Sequence, residues 1–164
     1  GIELPSAILA ARLLILTGCR LNEIMTLKWA YVDLAERVLR LPDSKSGAKV
    51  VHLGQPAVDL LRDAQRIEDN PWVIAGTLPG KRLSDLQPFW QRVRARAGVK
   101  DVRIHDLRHT FASTAVASGQ GLPMIGKLLG HTQVQTTARY AHLAAEPVRI
   151  AADAVAQNLR QSLG

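Results

Sequence analysis

Two short patterns carry side chains whose types and spacing could do chemistry. His105-Asp106-Leu107-Arg108-His109 reads as the opening of a helix, which sets His105 and Arg108 on one face, three residues apart. A helix N-terminus adds unpaired backbone N–H groups and a partial positive charge, so the combination suits a phosphate. In the second pattern, Gly130-His131 is followed nine residues later by Tyr140, placing a histidine at one end of a short helix and a phenol at the other. His105 and His109 also have the spacing of a zinc pair. The glutamate of an HExxH site is missing and no ligand cluster lies near, so no metal is expected. Hydrogen-bonded core histidines and a packing tyrosine remain the alternatives, residue by residue.

The charge of the chain points the same way. Its 21 Lys and Arg against 14 Asp and Glu give a net charge of +7 and a pI of about 10.2, which favours an anionic partner, nucleic acid first. Much of the excess lies in residues 81–103, where Lys81, Arg82, Arg92, Arg94, Arg96, Lys100 and Arg103 face only Asp85 and Asp101. Leu86, Phe89, Val93 and Ala97 recur there at spacings of three and four, predicting the buried stripe of a helix that ends at Gly98. Arg92 and Arg96 fall off that stripe. They read as a phosphate-backbone contact surface or as a solvated helix face.

The elements that must position these groups read as mostly helical. Pro5 suits the first turn of a helix to about Thr17, apolar nearly all round and therefore central, with Gly18 as its break. A second helix is expected over Leu21–Leu27. Strand-like stretches at Trp29–Val32, Arg37–Leu41 and Lys49–Leu53, with turn signals between them, predict a small antiparallel sheet of about three strands. A helix should follow from Pro56 to about Ile67. Further helices are expected over His105–Ser118, from Pro123 to Gly130, from a Thr132/Gln135 capping box to Tyr140, and after Pro147. The last carries Val148, Ala152, Val155 and Leu159 on one face. The fold class is α+β, mostly helical.

Length and composition bound the rest. At 164 residues, 47% hydrophobic and 21% charged, the chain is expected to be one globular domain over 1–164, with 147–164 as a C-terminal helical segment. Its longest apolar runs fall far short of a membrane span, and no signal peptide opens it, so a soluble intracellular protein is expected. Cys19, the one cysteine, has no thiol to pair with and reads as a small buried hydrophobe.

Four stretches together resemble the catalytic domain of the tyrosine recombinases, or phage integrases. They are Thr17-Gly18-Cys19-Arg20-Leu21-Asn22-Glu23-Ile24, Ser44-Lys45-Ser46-Gly47, His105 through Ala112, and Leu129-Gly130-His131-Thr132 through Arg139-Tyr140-Ala141-His142. The resemblance spans about residues 5–143, in the family's order. It implies that Arg20 and Arg108 grip the nonbridging oxygens of the scissile phosphate and that Tyr140 attacks phosphorus, giving a 3′-phosphotyrosyl link and a free 5′-hydroxyl. His105 would accept the phenolic proton, His131 would hydrogen-bond the phosphate, and Lys45 would protonate the departing oxygen, with Lys49 as a possible substitute. Glu23 matches a family acid that orients the site, and His109 looks structural.

Physical chemistry supports those roles. A phosphodiester under attack gains negative charge, which fixed guanidinium forks stabilise. A tyrosine with a pKa of about 10 needs a base. A covalent intermediate conserves the bond energy, so no ATP or other cofactor is expected. The implied partner is double-stranded DNA. The resemblance further implies an N-terminal DNA-binding domain absent from this chain, a tetramer on DNA in the full-length protein, a monomer as an isolated domain, and a cytoplasmic, nucleoid-associated location. A type IB topoisomerase and a non-catalytic DNA-binding homologue are the competing functions.

Overall fold

A computed structural model of the chain describes residues 3–43, 47–131 and 134–162. It divides into two compact units, 1–111 and 112–164. In the first, Pro5 opens α1 (Pro5–Thr17) and Gly18, at φ 63°, closes it in the left-handed region that a glycine adopts without strain. α1 packs on α2 (Leu21–Met25) and α3 (Gln55–Asp63) through Ala10, Leu13 and Leu14. Ile8 and Ile15 stay over a third exposed, so α1 is buried on one side and not all round as its composition suggests.

The chain leaves α2 earlier than expected. Its backbone from Leu27 to Trp29 pairs instead with 71–73, Val73 N–H donating to Leu27 O at 2.9 Å and Trp29 N–H to Pro71 O at 2.9 Å. The strand expected at Trp29–Val32 is a 3₁₀ turn over Trp29–Tyr31 followed by the two-residue β1 (Val32–Asp33). Cations hold this turn: the Lys28 ammonium lies 5.0 Å from the Trp72 ring centre, and the Arg66 guanidinium lies 4.3 Å over Trp29. β2 (Val38–Leu41) and β3 (Lys49–His52) complete an antiparallel sheet in the order β1-β2-β3, with Leu39 opposite Val51 and Leu41 opposite Lys49. The three-strand expectation holds. β2 begins at Val38 because Arg37, at φ 54°, still belongs to the turn.

α3 stops at Asp63, short of the expected Ile67. Ala57, Val58 and Leu61 are buried, whereas Ile67 is 48% exposed, so a further turn would have no apolar face to cover. α4 (Gln87–Ala97) ends at Gly98, φ 69°, as its spacing predicts. Its buried face takes Leu86, Phe89 and Trp90, while Ala97 lies exposed. Trp90 replaces it because its indole N–H finds the Val102 carbonyl at 2.9 Å. Leu13, Ile24, Leu27, Leu39, Leu61, Ile74 and Leu86 form the centre of this core.

α5 (Asp106–Ala117) begins in the first unit and ends in the second. In the second unit, α6 (Leu122–Leu129) carries Pro123 in its first turn and ends at Gly130, φ 68°. It packs on α7 (Val134–Ala138). That helix stops two residues short of Tyr140, and Thr132 of the expected capping box lies outside the described residues. A 3₁₀ turn at Ala141–Leu143 leads into α8 (Ala145–Ser162). α8 begins before Pro147, which the first turn tolerates because N–H groups there have no intrahelical partner. Val148, Val155 and Leu159 of its stripe are over half exposed. No helix among the described residues is long and apolar enough to cross a membrane.

Candidate active site

The turn between α1 and α2 carries the first arginine. Thr17 Oγ1 donates to Leu13 O at 2.6 Å and accepts the Cys19 N–H at 3.2 Å, which fixes the chain as it leaves α1. Arg20 then caps α2. Glu23 Oε2 accepts the Arg20 backbone N–H at 2.7 Å, and Oε1 accepts Arg20 Nη1 at 3.0 Å. The Arg20 side chain keeps 27% exposure, and its Nε and Nη2 take no protein acceptor among the described residues. Lys49, on β3, donates its ammonium to Glu23 Oε2 at 2.8 Å. Burial pushes the Glu23 carboxyl up, but hydrogen bonds from Lys49 and the Arg20 backbone outweigh it and hold the group below the usual glutamate value.

Arg108, on α5, is 5% exposed and donates Nη1 to the Gly18 carbonyl. Arg20 and Arg108 are thus both anchored on the same short turn, one inside it and one from across the core. His105 immediately precedes α5. Partial desolvation, then the nearby His109 and Arg108 charges, hold its imidazole below the ordinary histidine value, so the neutral, proton-accepting form prevails at neutral pH. Its ring meets that of His109 edge-on, with centroids 4.9 Å apart. Asp106 accepts the Arg103 N–H at 2.7 Å, and this bond keeps its carboxyl low.

A cavity of about 450 Å³ opens here, lined among others by Cys19, Trp90, Arg94, Arg103, His105 and Arg108. Of the basic cluster from 81–103, Arg94 and Arg103 therefore lie beside His105 and Arg108. Arg94 also serves the fold, donating Nη1 to Lys100 O at 2.7 Å. Arg92 and Arg96 are elsewhere, both clamped on the Glu3 carboxylate, with Arg92 Nη2 at 2.8 Å from Oε2 and Arg96 Nη2 on Oε1. Lys81 and Arg82 border a separate cavity with Trp72, and Lys100 is exposed. The cluster is three places, not one patch. Lys45 lies outside the described residues.

The second unit holds His131 and Tyr140. His131 N–H closes α6 on Gly126 O at 2.9 Å, and its Nδ1 shares a 2.8 Å hydrogen bond with Thr137 Oγ1. Thr137 is 1% exposed. Its hydroxyl occupies the space a side chain at Gly126 would need, because a Cβ there would sit 3.0 Å from Oγ1. Tyr140 is 6% exposed, and its N–H bonds Thr137 O at 3.0 Å. Sequence reasoning missed Thr137 and the Lys49–Glu23 pair. The available signal was a threonine three residues before the tyrosine.

Comparison with known proteins identifies the family. The phage integrase family matches residues 4–146. The chain is 31% identical over 145 residues to tyrosine recombinase XerD of Yersinia pestis, covering 81% of this chain and 48% of that protein. It is 32% identical over 143 residues to the integrase of Salmonella phage P22, covering 78% and 37%. The chain thus spans about half or less of the length of these relatives. Among solved structures it resembles the catalytic domain of bacteriophage HP1 integrase, with a TM-score of 0.64 and 25% identity over 88% of this chain and 79% of that one. XerH recombinase bound to its palindromic difH substrate shares the fold, with a TM-score of 0.72 and 22% identity over 92% and 47%. With the family model matched over most of its length, this chain belongs to the phage integrase family.

Proposed function

We propose that the chain is the catalytic part of a site-specific DNA recombinase. It breaks and rejoins double-stranded DNA by transesterification. Tyr140 Oη attacks the scissile phosphorus and passes its proton to His105, whose neutral ring is ready to accept it. The bond to the 5′ oxygen breaks, and Lys45 protonates that oxygen. Arg20 and Arg108 hold the nonbridging oxygens, and His131 donates a hydrogen bond to the phosphate. Thr137, donating its hydroxyl proton to Nδ1, leaves the His131 proton on Nε2 for that bond. Rejoining is the reverse, with the free 5′-hydroxyl attacking the phosphotyrosine.

The observation that supports this reading most strongly is the arginine pair anchored on one turn. Arg20 is capped by Glu23 and Arg108 is buried on the Gly18 carbonyl. Donors fixed before reaction stabilise developing charge without reorganising. The 1–164 chain acts in this reading as one catalytic domain, in the compartment that holds the DNA. The full-length protein adds a DNA-binding domain and works as a tetramer on its sites.

The test is covalent capture on a nicked double-stranded substrate whose cleaved strand diffuses away. The wild-type chain should accumulate a protein–DNA adduct at Tyr140, and Tyr140→Phe should bind DNA and form none. An adduct on Tyr31, the other tyrosine, would overturn the assignment, and DNA binding without any adduct would mark a non-catalytic homologue. Supercoil relaxation by a monomer without strand exchange would instead mark a type IB topoisomerase.

A further inference from the structure

We propose that Lys49 is a positioning residue for Arg20, acting through Glu23; the proposal rests on Arg20 gripping the scissile phosphate. Glu23 holds three donors with two oxygens. Oε1 takes Arg20 Nη1 at 3.0 Å, while Oε2 takes both the Arg20 N–H at 2.7 Å and the Lys49 ammonium at 2.8 Å. The Glu23 and Lys49 side chains are only 4% and 10% exposed, so water does little to screen or replace these bonds.

Charge explains why the third partner matters. Glu23 and Arg20 alone form a neutral pair, in which the carboxylate competes with phosphate for the guanidinium. With Lys49 the trio carries a net positive charge. The carboxylate then orients Arg20 without cancelling the field it presents to the phosphate. Geometry adds a second effect. Lys49 stands on β3 opposite Leu41, so the ion trio ties the β2–β3 pair to the start of α2. The two lysines divide the work: Lys45 serves the leaving oxygen, and the Lys49 ammonium is committed to Glu23.

The experiment measures single-turnover adduct formation at saturating DNA, with thermal unfolding as the check on folding. Lys49→Met should slow cleavage of the ordinary phosphodiester by about tenfold to a hundredfold, the range a displaced catalytic group loses. On a substrate whose scissile phosphate is replaced by a neutral methylphosphonate, where an arginine has no charge to grip, the same variant should lose little. Arg20→Ala should follow the same pattern. The Arg20→Ala/Lys49→Met double variant should be no slower than Arg20→Ala alone, because a residue acting through another has no effect once that other is gone. Lys49→Arg, which keeps the charge, should retain most of the rate.

Equal slowing of Lys49→Met on both substrates, additive losses in the double variant, or a Lys49→Arg as slow as Lys49→Met would each overturn the proposal. So would rescue of Lys49→Met by sulfur at the bridging 5′ position, which would make Lys49 the proton donor. An Arg20→Ala variant that cleaves the ordinary substrate like wild type would overturn the underlying role of Arg20 as well, which separates the two failures.

Discussion

The two units of the chain hold their functional groups in different ways. In the first, Arg20 and Arg108 are fixed by opposite charge or by a buried carbonyl, through contacts that cross the core: Lys49 reaches Glu23 over 26 positions, and Arg108 reaches Gly18 over 90. In the second, His131 and Tyr140 both bond to Thr137, within a ten-residue stretch. A group that must oppose charge throughout a reaction gains from a rigid, far-anchored frame. Tyr140, the proposed nucleophile, lies just past a short helix. On the proposed reading, the difference teaches that the groups opposing charge depend on contacts far apart in sequence, whereas the nucleophile and its neighbouring histidine share one local partner.

The largest expected effect breaks the first half. Arg108→Ala removes a phosphate grip and leaves the Gly18 carbonyl unpaired in the core. Cleavage should fall about 10³-fold, and stability by about 1–3 kcal/mol, read by single-turnover adduct formation and by denaturant unfolding. A loss of stability with cleavage intact would show that Arg108 serves the fold alone.

A smaller effect is expected in the second unit. Gly126→Ala places a methyl against Thr137 Oγ1, and Thr137→Val removes the hydroxyl outright. Either should slow cleavage about tenfold by freeing the His131 ring, with DNA affinity unchanged. If Thr137→Ser, which keeps the hydroxyl, is as slow as Thr137→Val, then shape and not the hydrogen bond is what matters.

The third prediction concerns pH. The His105 value lies below the ordinary 6.5 because of burial, His109 and Arg108, with Arg103 acting in the same direction and Asp106 opposing. Protonated His105 cannot accept the phenolic proton, so cleavage should fall with an acid midpoint below pH 6.5. His109→Ala removes one depressing charge and should move that midpoint upward. A limb that stays put would assign the base elsewhere. Glu23 follows the same logic in stability: its lowered carboxyl stabilises the fold above its unfolded value of 4.5, and that contribution is lost as pH falls through the folded value.

The smallest effect tests the Glu3 clamp. Glu3→Gln should release Arg92 and Arg96. If they then meet DNA phosphates, the salt dependence of binding should steepen by about 0.9 per arginine on a log–log plot. An unchanged slope would remove both from the DNA-contact surface.

Local signals were legible in the sequence, and long-range ones were not. Pro5 and Gly18 bracket α1, and Gly130 ends α6, because those residues meet a backbone requirement that no distant contact alters. The Arg20–Glu23 pair is local for the same reason, three residues apart on one helix turn. The Trp29–Tyr31 turn was read as a strand because what holds it comes from Arg66 and Trp72, some forty positions on. The pairing of Arg92 and Arg96 with Glu3 left no local sign, because Glu3 lies some ninety positions away. Where a side chain's partner lies outside its own helix or hairpin, local spacing carries no sign of it.

The bond from Arg108 to the Gly18 carbonyl has a bearing on how the chain folds. It joins groups 90 positions apart, so no shorter stretch of chain contains both. Closing a loop of that length costs entropy that the contacts of the intervening helices and sheet help to offset. A nascent chain shorter than 108 residues therefore has Arg20 without its partner arginine. On the proposed reading, the arginine pair that grips the phosphate is complete only when both ends of this 90-residue separation have been brought together.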